Sequence, residues 1–300
     1  MVGKIMQRRE GMVRIAVIGA TGQLGTDLCQ KLKSKEVVPL THSDIEVTDI
    51  NSVERTFQKY RVDVIINTAA FHKVDECEEN PEKAFKVNAL GARNVAVIAQ
   101  KIGAKLVYIS TDYVFGGERG RNIPYNEFDT PSPLNVYGRS KLVGENFVKE
   151  FCLKHFIIRT SGLFGVAGAS GKGGNFVETI IKLAREKSEL KVVNDQIFSP
   201  TYTKDLAEKI LQLINTEYYG IFHITNKGFC SWYEFAKEIF EFTDTKVNLK
   251  PVSSDEFPMI AKRPKYSVLE NKHLKEIGLD KMSHWQDALK KYLKEKSHIK

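Results

Sequence analysis

The sequence predicts an α/β protein built on a doubly wound parallel sheet, with a smaller lobe behind it. Three observations carry this prediction. A short apolar strand, residues 14–18, runs straight into Gly19, Gly22 and Gly25, spaced by three and opening a helix. Strand-like and helix-like segments then alternate through the first half of the chain. Apolar runs such as Val64-Ile65-Ile66 and Leu106-Val107-Tyr108-Ile109 show no polar alternation, which suits parallel strands buried on both faces.

Each glycine of the first run has a distinct task. Gly19 lets the chain turn sharply out of the strand. Gly22 lacks a Cβ, so backbone N–H groups can approach a pyrophosphate. Gly25 lets the helix lie close to the sheet, and the helix N-terminus favours the negative charge. The helix reads as the stripe Leu24, Leu28 and Leu32. A second run, Gly165, Gly168 and Gly171, has the same spacing but neither runs straight out of a strand nor opens a helix. It reads as a loop.

Further strands are predicted at 36–40, 62–67, 105–110 and 156–159, with helices at 25–34, 52–60, 81–102 and 134–151. After residue 165 the rhythm loosens. Helices at 175–187 and 204–215 flank a turn-rich stretch, 192–203. A strand at 221–225 precedes a helix at 231–240, and Pro251, Pro258 and Pro264 come before an amphipathic helix at 285–294. The expected organisation is an N-terminal extension (1–12), a dinucleotide-binding Rossmann-type domain (13–165) and a mainly substrate-binding C-terminal lobe (166–300). Some segments of that lobe should return to the main sheet.

Three hundred residues with 42% hydrophobic content support an ample core. No apolar run reaches the ~18 residues that span a bilayer, and no signal-peptide pattern opens the chain, so a soluble, cytoplasmic protein is expected. Cys29, Cys77, Cys152 and Cys230 have neither ligand nor redox spacing, and no metal site is predicted. The net charge of +8 gathers partly at the ends, in Lys4, Arg8 and Arg9 and in the stretch 290–296. No nucleic-acid-binding motif accompanies it.

Reduction by a nicotinamide needs a group that can give a proton to the nascent alkoxide. A Tyr followed four residues later by Lys places phenol and ammonium on one helical face, where the ammonium would lower the phenol pKa and hold a ribose. Three tyrosines have this spacing: Tyr137 (Lys141), Tyr233 (Lys237) and Tyr292 (Lys296). The last two are expected on solvated helix faces. Tyr137 opens a helix after Pro131 and Pro133, and Thr111 stands at the end of the fourth strand, where doubly wound folds expose residues to a ligand. The Thr111 hydroxyl could share a substrate oxygen with Tyr137.

The segments 19–25 (GATGQLG), 67–70 (NTAA), 87–89 (VNA), 110–115 (STDYVF), 132–141 (SPLNVYGRSK), 159–161 (RTS), 194–196 (NDQ) and Arg263-Pro264 occur in this order. The set resembles the dTDP-4-dehydrorhamnose reductases, within the extended short-chain dehydrogenases/reductases. The resemblance implies that Tyr137 is the proton donor, that Lys141 tunes it and holds the ribose, and that Thr111, Asp112 and Tyr113 meet the sugar. It further implies a cofactor cradle of Gly22, Gln23 and Leu24, with Asp49 and Ile50 flanking the adenine. Ala69, Ala70 and Phe71 would lie along the cofactor, with Asn88 nearby, and Arg263 would bind the nucleotide diphosphate. A homodimer is implied as well.

One position departs from the pattern: the family often has Trp after Arg-Thr-Ser, and here stands Gly162. Either Phe164 or a loop residue then supplies the aromatic wall, or the sugar preference differs. After the second strand comes Thr41-His42-Ser43-Asp44, with neither an acid nor an Arg squarely at the strand end. NADP or NAD are both open, with a lean to NADP. Tyr113 following Thr-Asp disfavours a dehydratase, and Ser-Thr-Asp disfavours an epimerase. The rival from another class is a non-catalytic dinucleotide-binding regulatory subunit, similar to the methionine adenosyltransferase beta subunit.

Overall fold

The computed structural model describes residues 13–32, 36–168, 174–257 and 259–300. The expected extension, 1–12, lies outside them, as do Gly171, Pro258 and the last residues of the first predicted helix. The chain opens with β1 (Arg14–Ile18), α1 (Gln23–Lys31), β2 (Glu36–Leu40), α2 (Ile50–Tyr60) and β3 (Val64–Asn67). It continues through α3 (Val74–Glu79), α4 (Pro81–Phe85), a π-turn (Lys86–Leu90), α5 (Gly91–Ile102), β4 (Lys105–Thr111), α6 (Val136–Phe151) and β5 (His155–Thr160).

The C-terminal part runs β6 (Leu163–Phe164), α7 (Phe176–Glu186), β7 (Glu189–Val193), β8 (Ile197–Phe198), β9 (Thr201–Tyr202) and α8 (Thr203–Leu213). Then come β10 (Gly220–His223), β11 (Cys230–Ser231), α9 (Trp232–Phe242), β12 (Asn248–Val252), α10 (Lys272–Glu276) and α11 (Trp285–Glu295).

Six strands form one parallel sheet in the order β10-β5-β4-β3-β1-β2. The winding direction reverses between β1 and β3, and the crevice for a ligand opens at the carboxyl ends of those strands. One face is sealed by α1 and α8 through Leu24, Leu28, Leu206, Ile210 and Leu213. The other is sealed by α2 and α5 through Val53, Phe57, Val95, Ile98 and Ala99. Burying each such side chain contributes about 1.5–3 kcal/mol. A separate core made by α7, α9 and α11 encloses Phe164, Val177, Ile180, Phe235, Trp285 and Tyr292.

Residues beyond 200 rejoin the sheet, β10 pairing with β5 and α8 packing on α1. The largest deviation from the predicted elements is at 81–102. What reads as one helix is α4, a π-turn and α5, with the buried Asn88 in the wide turn. Helix α3 and the two-residue strands β6, β8, β9 and β11 are too brief to leave a periodic signal; the five-residue strands β7 and β12, which pair with each other, were not expected either. Tyr292 is likewise not on a solvated face: it is fully buried, its hydroxyl donating to Glu178 Oε1 at 2.5 Å.

Candidate active site

A cavity of about 820 Å³ runs from the β1–α1 turn, across the ends of β3 and β4, to the C-terminal lobe. Its first part is shaped by glycine. Gly19 has φ +79°, and a Cβ there would meet Thr68 Oγ1 at 2.5 Å. A Cβ on Gly25 would lie 2.1 Å from the Gly19 carbonyl oxygen, so α1 touches the turn backbone to backbone. Gly22 differs. Its φ of −74° suits any residue, and a Cβ would meet no protein atom closer than 3.4 Å. Gly22 is the N-cap of α1 without a side-chain cap, which leaves helix N–H groups facing the cavity.

Gly19, Gly22, Gln23, Leu24, Gly25, Thr41, Ala69, Ala70 and Phe71 all line this part. Asp49 and Ile50 do not. The Asp49 carboxylate caps α2 by accepting from Asn51 N at 2.9 Å, and Ile50 is exposed; Val47 and Thr48 line the wall in their place. Thr41 and His42 also face the cavity, whereas Asp44 turns back to accept from Thr41 N (2.8 Å) and Oγ1 (2.6 Å). That turn lowers the Asp44 pKa, chiefly through the Thr41 side-chain hydrogen bond.

The middle of the cavity brings together Thr111, Asp112, Tyr113, Tyr137 and Lys141. Helix α6 is set in register by Asn135, whose side chain accepts from Gly138 N and donates to Lys262 O, both at 2.8 Å. A Cβ on Gly138 would sit 2.1 Å from Tyr113 O, so the helix start lies hard against the β4 end. Asn88 stands off the cavity and works as a clamp. It accepts from Phe71 N (2.8 Å) and donates to Phe71 O and Ser140 Oγ (2.9 Å each), while Ser140 donates to Tyr137 O. It thus ties the β3 end to the helix turn bearing Tyr137 and Lys141.

Burial pushes the Tyr137 phenol above its usual pKa, partly offset by a hydrogen bond with the Thr111 side chain. The sequence led us to expect a phenol lowered by Lys141. In the structure burial wins, and the same enclosure lowers Lys141 itself to about 7. A phenol held protonated is suited to give a proton to an alkoxide. The Lys141 Nζ is buried, has no hydrogen-bond partner, and lies 4.0 Å from the Tyr108 ring centroid. Asp112 accepts from Thr111, Ser161 and Ser267 hydroxyls, and burial raises its pKa to about 6.

At the far end Gly162 lines the cavity with φ +51°. A Cβ there would meet the Phe198 ring at 2.3 Å. Phe198 stacks on Trp232 with centroids 3.9 Å apart, and both rings face the cavity. Phe164 cannot serve as the aromatic wall, because it is buried in the lobe core against Tyr202. Arg263 is also off the wall. Its guanidinium grips both oxygens of Asp75, at 3.2 and 2.8 Å, and its neighbour Pro264 is the residue that lines the cavity. Phe198, Trp232, Gln196 and Ser267 were not legible as site residues, since their segments join the site only through tertiary packing.

The residues fit a bound dinucleotide. An orphaned buried ammonium awaits hydroxyl acceptors, and the space at Gly22 is one that no protein atom requires. Among the described residues no cluster of His, Cys, Asp or Glu could hold a metal, and no helix is long and apolar enough to cross a membrane.

The family model described as RmlD substrate binding domain matches residues 13–298. The spore coat polysaccharide biosynthesis protein SpsK of Bacillus subtilis (strain 168) is 43% identical over 288 residues, 95% of this chain and 99% of that protein. A crystal structure of a dTDP-4-dehydrorhamnose reductase from Clostridium acetobutylicum has a TM-score of 0.91 and 44% identity, over 95% of this chain and 100% of that one. Another, from Bacillus anthracis in complex with NADP, has a TM-score of 0.90 and 46% identity, over 95% and 99%. The chain belongs to the dTDP-4-dehydrorhamnose reductase family.

Proposed function

We propose that this protein reduces the C4 ketone of a dTDP-4-dehydro-6-deoxy-L-sugar, dTDP-4-dehydrorhamnose, to give dTDP-L-rhamnose at the expense of NADPH. The observation that carries the reading is the convergence of Tyr137, Thr111 and the unpartnered Lys141 on one wall, beside a glycine turn shaped for a pyrophosphate. When bound, the reduced coenzyme supplies the hydride. The chain supplies the rest. Tyr137 gives its phenolic proton to the oxygen at C4, and Thr111, whose hydroxyl donates to Asp112 in the absence of substrate, turns its one proton to the same oxygen, which fixes the carbonyl before reaction and stabilises charge on it afterwards. Lys141 anchors the ribose, and its ammonium stabilises the phenolate left behind.

Phe198 and Trp232 offer an apolar surface to the sugar or its base, in the place the missing Trp would take. Arg263, held by Asp75, acts on the diphosphate only if that pair opens; in its observed position it braces Tyr113, with whose side chain it shares a hydrogen bond. A preference for NADPH is supported by Asp44 being turned away from the wall, and by the NADP found in the Bacillus anthracis relative. The reading also carries over the homodimer that the family resemblance implies and the cytoplasmic location expected from the sequence.

The test is coenzyme oxidation, followed by absorbance, with 4-keto-6-deoxy sugars on several nucleotides. Turnover should be highest with the dTDP-linked L-sugar and with NADPH. No turnover with any of them, alongside tight coenzyme binding, would favour the regulatory-subunit reading instead.

A further inference from the structure

Beneath Lys141 lies a buried charge network that the proposed reaction does not explain. Lys141 and Glu145 stand one turn apart on α6, so both side chains share a face. Glu145 is fully buried. A carboxylate so enclosed needs donors to fill its lone pairs. Here it has them. Arg159 on β5 donates from Nε at 3.0 and 3.2 Å and from Nη2 at 2.7 Å, and Ser110 Oγ on β4 donates at 2.5 Å. The planar guanidinium fork pairs with the carboxylate and fixes its direction.

Arg159 is itself enclosed, its guanidinium 5.1 Å from the Phe115 ring centroid and its Nη1 3.5 Å from His223 Nε2. His223 on β10 faces the Tyr125 carbonyl through Nδ1 at 3.1 Å, which places the ring proton on Nδ1 and leaves Nε2 as acceptor. Burial and Arg159 both hold this imidazole neutral. The interior set therefore holds a guanidinium and an amine against a single carboxylate. Burial lowers the pKa of that amine, Lys141, to about 7.

We infer that Glu145, locked by Arg159 and Ser110, is a positioning residue whose fixed negative charge governs the ionisation of Lys141. The other groups facing this region do not offer that charge. Tyr137 and Tyr108 are neutral phenols, Lys83 and Lys86 on the cavity wall are basic, and Asp112, turned toward the hydroxyls of Thr111, Ser161 and Ser267, is not among the charges that act on Lys141. Of the charged groups around Lys141, Glu145 is the one that opposes the effect of its burial. The sign follows directly. Burial favours the neutral amine, Glu145 favours the ammonium, and removing Glu145 shifts the midpoint of Lys141 to lower pH.

This inference rests on reading Lys141 as the amine of a reductase site, and the experiment separates the two. Lysine side chains labelled with 13C in the full-length protein report each midpoint by NMR without substrate, with Lys141→Met assigning the signal. Glu145→Gln should lower the Lys141 midpoint by about one pH unit or more. The alkaline limb of kcat/KM should move the same way. Because Glu145→Gln strands Arg159, the double variant E145Q/R159M serves as a second test. It removes both buried charges, and its midpoint should also fall below wild type. An unchanged midpoint in either folded variant would overturn the inference. Full turnover by Lys141→Met would instead overturn the role given to Lys141, whatever Glu145 does.

Discussion

Replacing Tyr137 by Phe should cut turnover by about 10²–10⁴-fold, the usual cost of losing a positioned acid. The affinity for NADPH should change little. The phenol hydroxyl is the only group removed, and α6 keeps its register through Asn135, Gly138 and the Asn88–Ser140 clamp. Rapid mixing with the keto sugar would measure the chemical step, and coenzyme fluorescence would measure binding. Near-normal turnover in this variant would remove Tyr137 from the reaction. An equal loss of binding would instead point to a role in holding the coenzyme.

The glycines at 22 and 25 should separate a ligand's requirement from the protein's own. In Gly25→Ala the new Cβ would fall 2.1 Å from Gly19 O and 2.9 Å from Ala20 Cα, both backbone atoms that no rotamer change can move. Helix α1 must shift, at a cost of about 1–3 kcal/mol or more, so the melting temperature and dinucleotide affinity should both fall. In Gly22→Ala the nearest atom is 3.4 Å away and the backbone is already in an ordinary region. Its melting temperature should match wild type, yet NADPH should bind at least about tenfold more weakly, a loss of roughly 1.4 kcal/mol. Thermal unfolding and coenzyme titration on the two variants decide this. Wild-type affinity in Gly22→Ala would mean that the pyrophosphate does not cross the turn there.

The parts of this molecule that were legible in the sequence are those with local causes. The strand-turn-helix of residues 14–31 announces itself through an apolar run and three glycines, because the turn needs a positive φ at Gly19 and close backbone contact at Gly25. The pairing of Tyr137 with Lys141 follows from helical periodicity, and Thr111 from its place at a strand end. Other features depend on what the chain meets far away. Arg263 looks like an anion ligand until Asp75, 188 residues earlier, is seen to occupy its guanidinium. Asp49 is expected to flank the adenine, yet its carboxylate turns to cap the first turn of α2.

The aromatic wall shows the same limit. Gly162 reads as a missing ring, whereas Phe198 reaches into that space from β8 and stacks on Trp232 from α9. Two-residue strands carry no period, so nothing local marked Phe198 for the site. The raised phenol of Tyr137 was equally hidden. Spacing shows that an amine is near, but only the enclosure shows that burial overrides it. The π-turn at Lys86–Leu90 is a third case: its sequence has the composition of ordinary helix, and the buried bonds of Asn88 to Phe71 and Ser140 exist only once α6 and β3 are in place.

A crystal structure of the ternary complex with NADP and dTDP-L-rhamnose tests the central claim most directly. The account predicts that the sugar 4-oxygen lies within about 3 Å of both the Tyr137 and Thr111 hydroxyls, and that the Lys141 ammonium finds its missing acceptors on the nicotinamide ribose. A sugar seated with that oxygen away from both hydroxyls, or a Lys141 still without a partner, would contradict it.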